Sequence, residues 1–189
     1  SLWSQPWGTG IYGDETNSVL RRISTYKTTL GAWLRRYPDS RILSADTGYS
    51  RNYFRYPYGA YFTSSTLIFP VRNRDRVAGH IKDIVYIIWA PDDKTPFNGF
   101  SGKSRAFLLK EIERRGVANG TFGNDRVAAI LDRQIDAVRV FETEGEVISV
   151  SNGKVVYRKG GEDKLTTLRE IPTTASFAFV YPAFFGESY

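Results

Sequence analysis

The run Val147-Ile148-Ser149-Val150-Ser151-Asn152-Gly153-Lys154-Val155-Val156-Tyr157 sets Asn-Gly between two flanks rich in β-branched residues. Asn and Gly both accept a positive φ, which the two central positions of a type I′ turn require, so the run predicts a β-hairpin turning at Asn152-Gly153. Upstream, residues 137–141 and 127–131 read as further strands, and residues 84–89 form a continuous β-branched and aromatic run of the buried-strand kind. A helix is expected over residues 104–115, capped by Ser101 or Ser104, with Leu108, Leu109 and Ile112 on one face and Gly116 as its stop. Residues 91–102 read as a loop.

Nearer the start, residues 9–14 read as a strand end and turn, residues 19–23 as a short strand, and residues 66–71 as a strand interrupted by Pro70. Residues 30–37 carry a second helix signal: Thr28 or Thr29 can cap it, Leu30, Ala32, Trp33 and Leu34 supply a buried side, and Pro38 ends it. Residues 46–60 are a loop rich in Gly, Ser, Asn and Tyr. Strands outnumber helices and the helices are isolated, so the expected class is α+β: β-rich, with short strands and hairpins.

One order of features occurs twice. Ile11-Tyr12, Leu20-Arg21-Arg22-Ile23, Thr28-Thr29, Trp33 and Tyr37-Pro38 are echoed by Val156-Tyr157, Leu168-Arg169-Glu170-Ile171, Thr173-Thr174, Phe177 and Tyr181-Pro182. The order predicts an internally duplicated protein whose first copy is truncated. Residues 1–76 are then the tail of a first repeat plus an aromatic and basic loop, and residues 77–189 a complete second repeat. Trp33 and Phe177 are expected at equivalent buried positions. Trp3, Trp7, Trp33 and Tyr12 are expected to be covered by the second copy or by a separate chain.

Composition excludes several chemistries. The chain has no Cys and a single histidine, His80, so disulfides, thiolate catalysis, Cys-ligated clusters and multi-imidazole metal sites lie outside its reach. No apolar run approaches the roughly 20 residues of a membrane-spanning helix. The charge of +6 suits an anionic ligand, but the basic residues are scattered, so nucleic acid is not the expected partner. Ser1 opens the chain without a Met or a signal segment, which reads as a processed product or part of a longer protein.

Ser1-Leu2-Trp3-Ser4-Gln5, Thr29 to Trp33 with Tyr37-Pro38-Asp39, and Thr47-Gly48-Tyr49-Ser50-Arg51-Asn52-Tyr53 with Tyr56-Pro57-Tyr58 resemble the second, C-terminal part of the uncharacterised domain-of-unknown-function family thirty-one seventy-nine. Arg105-Ala106-Phe107-Leu108 and residues 117–123 resemble that family's repeated strand-and-helix segment. The resemblance implies no activity. It implies export, and an upstream segment with a Cys-Pro-Leu motif that this chain does not contain.

Asn98-Gly99-Phe100-Ser101-Gly102-Lys103-Ser104 is similar to a phosphate-binding loop, yet Phe97 stands where that motif has its first Gly, so a nucleotide site is not expected. The carboxylates Asp92, Asp93, Asp125, Asp132, Asp136, Glu142, Glu144 and Glu146 read as solvated turns rather than an acid–base pair. Ser1 as a terminal nucleophile is likewise set aside in favour of a chain boundary. No catalytic residue, metal ligand or cofactor is therefore expected. The candidate site for a ligand or partner is Tyr49, Arg51, Tyr53, Arg55, Tyr56 and Tyr58, whose rings stack and whose guanidinium forks grip carboxylate or phosphate.

The expectation for function is a noncatalytic binding or assembly module, extracytoplasmic or secreted. Its partner is a protein, a second copy of the chain, or a missing N-terminal half. The alternative is a component of an enzyme whose catalytic residues lie in a missing upstream segment.

Overall fold

The computed structural model describes residues 1–92, 100–151, 154–166 and 168–186. In chain order the elements are β1 (Leu2–Ser4), β2 (Thr9–Tyr12), α1 (Leu30–Arg36), β3 (Ile84–Pro91), β4 (Gly102–Leu108), α2 (Leu109–Arg115), β5 (Val117–Phe122), β6 (Asp125–Asp132) and β7 (Ala137–Thr143). They continue with β8 (Glu146–Ser151), β9 (Lys154–Lys159), β10 (Glu162–Thr166), β11 (Thr174–Phe177) and α3 (Val180–Phe185). Single 3₁₀ turns occupy Gly59–Phe62 and Arg74–Arg76. The chain is β-rich, as expected, with short antiparallel strands and few helices. Among the described residues no helix is long and apolar enough to cross a membrane.

Three antiparallel sheets, ordered β11-β3-β4, β5-β6-β7 and β10-β9-β8, carry the core, and β1 and β2 form a separate ribbon. Strand alternation explains how the sheets stack. On β3, Tyr86 and Ile88 enter a cluster with Phe107 of β4, Ile112 of α2, and Val127, Ala129, Val138 and Val140 of the middle sheet. The opposite face of β3 places Val85, Ile87 and Trp89 against Ala178, Tyr181 and Phe185 at and within α3. On β6, Ala128 and Ile130 turn away from the first cluster to meet Phe141, Val147, Val155 and Tyr157 in a third. Two of the sheets are thus buried on both faces, which is why residues 84–89 and 127–131 read as unbroken apolar runs.

The strands at residues 127–131 and 137–141, the Thr29 cap of α1 and the Gly116 stop of α2 all form where expected. Thr29 Oγ1 accepts from the Ala32 N–H at 3.2 Å, and Gly116 takes a φ of 78° that few other residues tolerate. The two flanks of the Asn-Gly hairpin pair as β8 and β9 with Ser151 opposite Lys154, the register of a two-residue connection. Asn152 and Gly153 themselves lie outside the described residues.

Three expectations fail. Residues 102–108 form β4, not the first half of a helix, because β3 offers a complete hydrogen-bonding edge from Val85 to Pro91. Ala106 and Phe107 are consequently buried on opposite faces, which a helix could not achieve. Residues 66–71 form no strand; Ile68 and Phe69 stay exposed there. Of residues 19–23 only Val19 makes a β-bridge, to Thr9.

The doubled order of features does not correspond to a doubled backbone path. Thr28-Thr29 precede and cap a helix, whereas Thr174 opens a strand paired with Ile87. Trp33 lies inside α1, while Phe177 ends β11. Tyr37-Pro38 follow a helix, and Tyr181-Pro182 lie within one. Tertiary pairing with β3 decides the difference, since among the described residues no strand pairs with residues 28–33.

Residues 1–76 are tied to the layered core at a few points. Trp7 packs on Phe100 and Phe184, donates from Nε1 to the Phe184 carbonyl at 3.1 Å, and accepts at its own carbonyl from Trp89 Nε1 at 3.2 Å. Asn73 Nδ2 donates to the Pro182 carbonyl at 2.9 Å. Trp3 and Trp33 are half-buried, while Tyr12, expected to be covered, is exposed.

Replacing Ile112, 0% exposed at the centre of the first cluster, by Ala is expected to cost about 3 kcal/mol. Leu43→Ala, at a side chain 93% exposed, should stay within about 0.5 kcal/mol. Urea denaturation of both variants checks which part of the chain carries the fold.

Candidate functional site

All six residues singled out by sequence, Tyr49, Arg51, Tyr53, Arg55, Tyr56 and Tyr58, lie at the surface. None of them lines the clefts beside Arg22, Asn119 or Thr28. The Tyr53 hydroxyl and Thr47 Oγ1 are 2.6 Å apart, and the Arg51 guanidinium lies 6.0 Å from the Tyr49 ring centroid. Tyr56 packs on Tyr58 at 5.6 Å and on Phe62 at 4.8 Å, and Phe62 continues to Phe177 at 5.0 Å. The loop is therefore anchored at one end through Tyr56 and presents Tyr49, Tyr53, Phe54 and both arginines to solvent. Among the described residues neither Arg51 nor Arg55 has an ion pair.

Just beyond the loop, Lys82 is buried without a carboxylate partner among the described residues. Its Nζ donates to the carbonyls of Tyr61 and Thr66 at 2.5 and 2.6 Å and lies 3.4 Å from the Tyr61 ring centroid. All three donors are thereby occupied, which makes Lys82 a pin for the chain over residues 61–66 rather than a reactive amine.

A second polar cluster forms where an extended strap crosses the core. From Arg22 to Thr28 every other side chain, Arg22, Ser24, Tyr26 and Thr28, turns inward. Thr28 Oγ1 donates to the Ile135 carbonyl, and the Tyr26 hydroxyl donates to Glu170 Oε2 at 3.0 Å. That same oxygen accepts from Arg139 Nη2 at 2.7 Å, while Arg139 Nη1 reaches Asp132 Oδ2 at 3.1 Å. Burial alone would lower the Arg139 pKa, but Glu170 and then Asp132 overcome it and push it up. Glu170 is held in place by a bridge to Phe141 that lays the segment before β11 along β7. Both Nη atoms of Arg139 and the Tyr26 phenol are spent on carboxylates, with Nε alone left unpartnered, so this cluster reads as a structural clamp.

Arg22 differs. Its guanidinium lies 4.5 Å from the Trp89 ring centroid, and Nη1 is shut off from solvent without a hydrogen-bond partner. Burial lowers its pKa, the reverse of Arg139. It lines a cleft of about 210 Å³ whose apolar wall comes from Trp89, Phe122, Ile171 and Pro172. The other charges in the cleft are paired: Arg169 with Glu142 at 3.2 Å, and Asp125 with Lys103 at 3.9 Å. Sequence reasoning noted Arg22 only as part of a repeated pattern. The available signal was an inversion, because Leu20 and Ile23 are exposed while the arginine between them is half-buried.

The glycine-rich run before β4 forms no phosphate cradle among the described residues. Lys103 lies on a strand, and Asn98 and Gly99 lie outside the described residues. No group of three or more His, Asp or Glu that could hold a metal occurs among the described residues.

Arg139→Met would leave Glu170 and Asp132 facing each other without a countercharge. The expected loss is about 2 kcal/mol, below the fully buried range because the arginine side chain is 23% exposed. Burial, then the Glu170 hydrogen bond, raises the Tyr26 pKa, so the folded state holds the phenol proton more tightly than the unfolded chain. That stabilisation is complete below the ordinary phenol value near 10 and is lost as pH rises through the folded value. Thermal melts from pH 8 to 11 should show stability falling at the alkaline end, and less steeply in Tyr26→Phe.

Comparison with known proteins bears on this surface. The family described as "Protein of unknown function (DUF3179)" matches residues 1–188. No curated protein and no solved structure matches the chain. The match takes in the aromatic loop, the strap from Arg22 to Thr28 and all three core sheets, and on that extent the chain belongs to the DUF3179 family of proteins of unknown function.

Proposed function

We propose that this chain is a noncatalytic binding or assembly module working outside the cytoplasm, and that residues 1–76 dock an acidic partner polypeptide. One observation carries the reading. Among the described residues nineteen large hydrophobic side chains are exposed, and seventeen of them fall in residues 1–76. Scattered apolar residues on a surface need no explanation, but a concentration in one segment is the mark of an interaction face. The layered core does not require these side chains, since its clusters draw almost wholly on later residues.

Charge selects the partner. Residues 47–74 hold four arginines and no acidic residue, within a chain of net charge +6. Tyrosine offers a large contact face at low entropic cost and arginine supplies forked donors, so this surface favours carboxylate-bearing polypeptide over a second positively charged copy. The compartment follows from the export that the family resemblance implies, and a chain without cysteine has no thiol to be altered in oxidising surroundings.

A glutamate–tyrosine copolymer serves as the probe. Binding measured by fluorescence anisotropy is expected to saturate, to weaken as salt rises, and to weaken at least about 5-fold in Arg51→Ala and Arg55→Ala, with melting temperatures unchanged. Sedimentation of the unbound chain should show a monomer; concentration-dependent dimerisation lost in the same variants would reassign the partner to a second copy. Variants that unfold well below the parent, while their folded fraction binds unchanged, would make the loop structural and overturn the reading. Finding the native protein in the cytoplasmic fraction would overturn the compartment.

A further inference from the structure

The cleft beneath the strap is a separate surface from the aromatic loop and does not depend on the docking of residues 1–76. We infer that it is a recognition site for a single carboxylate group carried on a small apolar stem, with Arg22 as the residue that binds the carboxylate.

Burying a guanidinium donor without a partner is unfavourable, and native folds leave few such groups. Arg139, on β7, shows how this fold holds a structural arginine: its two Nη atoms meet two carboxylates and only Nε stays unpartnered. Arg22 has no such company. Among the described residues it has no ion pair, and its guanidinium lies over the Trp89 ring, which orients a planar fork without consuming a donor. Trp89 is in turn fixed by the bond from its Nε1 to the Trp7 carbonyl and by packing against Phe185. The guanidinium is therefore held by a rigid support in the cleft wall, with Nη1 closed off from solvent and unpartnered.

The surroundings define what can occupy the cleft. Glu142 and Asp125 already have basic partners, so among the described residues of the cleft Arg22 contributes the one uncompensated charge, which calls for one negative charge. A dianion such as phosphate would face two carboxylates with, among the described residues, only one free cation to offset them. A carboxylate matches the fork in geometry as well as in charge. The apolar wall of Phe122, Ile171 and Pro172, together with a volume of about 210 Å³, fits a stem of a few carbons. A free short-chain acid and the terminal carboxylate of a polypeptide share this chemistry.

The test uses the whole chain with butyrate, inorganic phosphate, and the dipeptide acetyl-Ala-Ala as free acid and as amide. Tryptophan fluorescence reports binding because Trp89 lies against the fork. Butyrate is expected to saturate with a Kd on the order of 1 mM. Phosphate is expected to bind at least about 10-fold more weakly, and Arg22→Gln to weaken butyrate at least about 10-fold. Arg22→Lys, which keeps the charge and loses the fork, should fall between.

Stability gives an independent readout. If Arg22 serves a ligand, Arg22→Gln melts no lower than the parent, since it removes an unpaired charge from a part-buried place. The peptide acid binding more tightly than butyrate, with the amide inactive, assigns the carboxylate to a polypeptide terminus; the reverse order assigns a free acid. Three results would overturn the inference: no saturable binding of either acid, equal binding by a folded Arg22→Gln, or phosphate binding as tightly as butyrate. A marked fall in melting temperature for both Arg22 variants without any carboxylate binding would make Arg22 structural.

Discussion

Burial of β3 on both faces is the constraint from which the rest of the structure follows. One strand must find apolar cover on each side, and it does so with the middle sheet on one side and α3 on the other. The hydrogen-bonding edges of β3 are equally committed, to β4 along its length and to β11 over Ile84 to Ile87. Beyond Ile87 the β11 side of the strand has no ladder partner among the described residues, and Thr173 Oγ1 closes that boundary by donating to the Ile87 carbonyl at 3.0 Å. The open end, around Trp89 and Ala90, is where Arg22 enters. The cleft is thus a consequence of a strand longer than its partner.

The strap shows how a segment with little regular structure is held on a core. Its inward side chains are polar, so it gains from specific bonds to Ile135 and Glu170 rather than from burying apolar area. Such bonds are directional and modest individually. That economy leaves the apolar residues of the first 76 positions facing outward, the opposite of a segment that folds to complete a core. The same design therefore produces both candidate sites: an exposed apolar and arginine-rich face, and one inward guanidinium with nothing opposite it.

The elements legible from residues alone are those set by local chemistry. Thr29 caps α1 and Gly116 ends α2 because capping geometry involves only a few neighbouring residues. Residues 84–89 and 127–131 announce strands because two-faced burial leaves an uninterrupted apolar run. The flanks of Asn-Gly pair as β8 and β9, which their β-branched composition announces. The loop from Tyr49 to Tyr58 was likewise legible as a surface feature, since its composition suits neither a core nor a regular element.

Long-range pairing decided everything else. Residues 102–108 have a helix-compatible pattern and become β4 only because β3 presents an edge that no local rule reveals. The paired features of the two halves part company for the same reason: Thr174 meets Ile87, and Thr29 meets no strand. Arg22 is the sharpest instance. In sequence it is one arginine among the chain's 26 basic residues, and nothing adjacent distinguishes it. Its unpartnered Nη1 exists only because the fold carries it 67 positions along the chain, onto Trp89, to a place where every described carboxylate already has a partner. Local sequence specifies which backbone a residue prefers, whereas charge left without a counterpart is a property of the assembled interior.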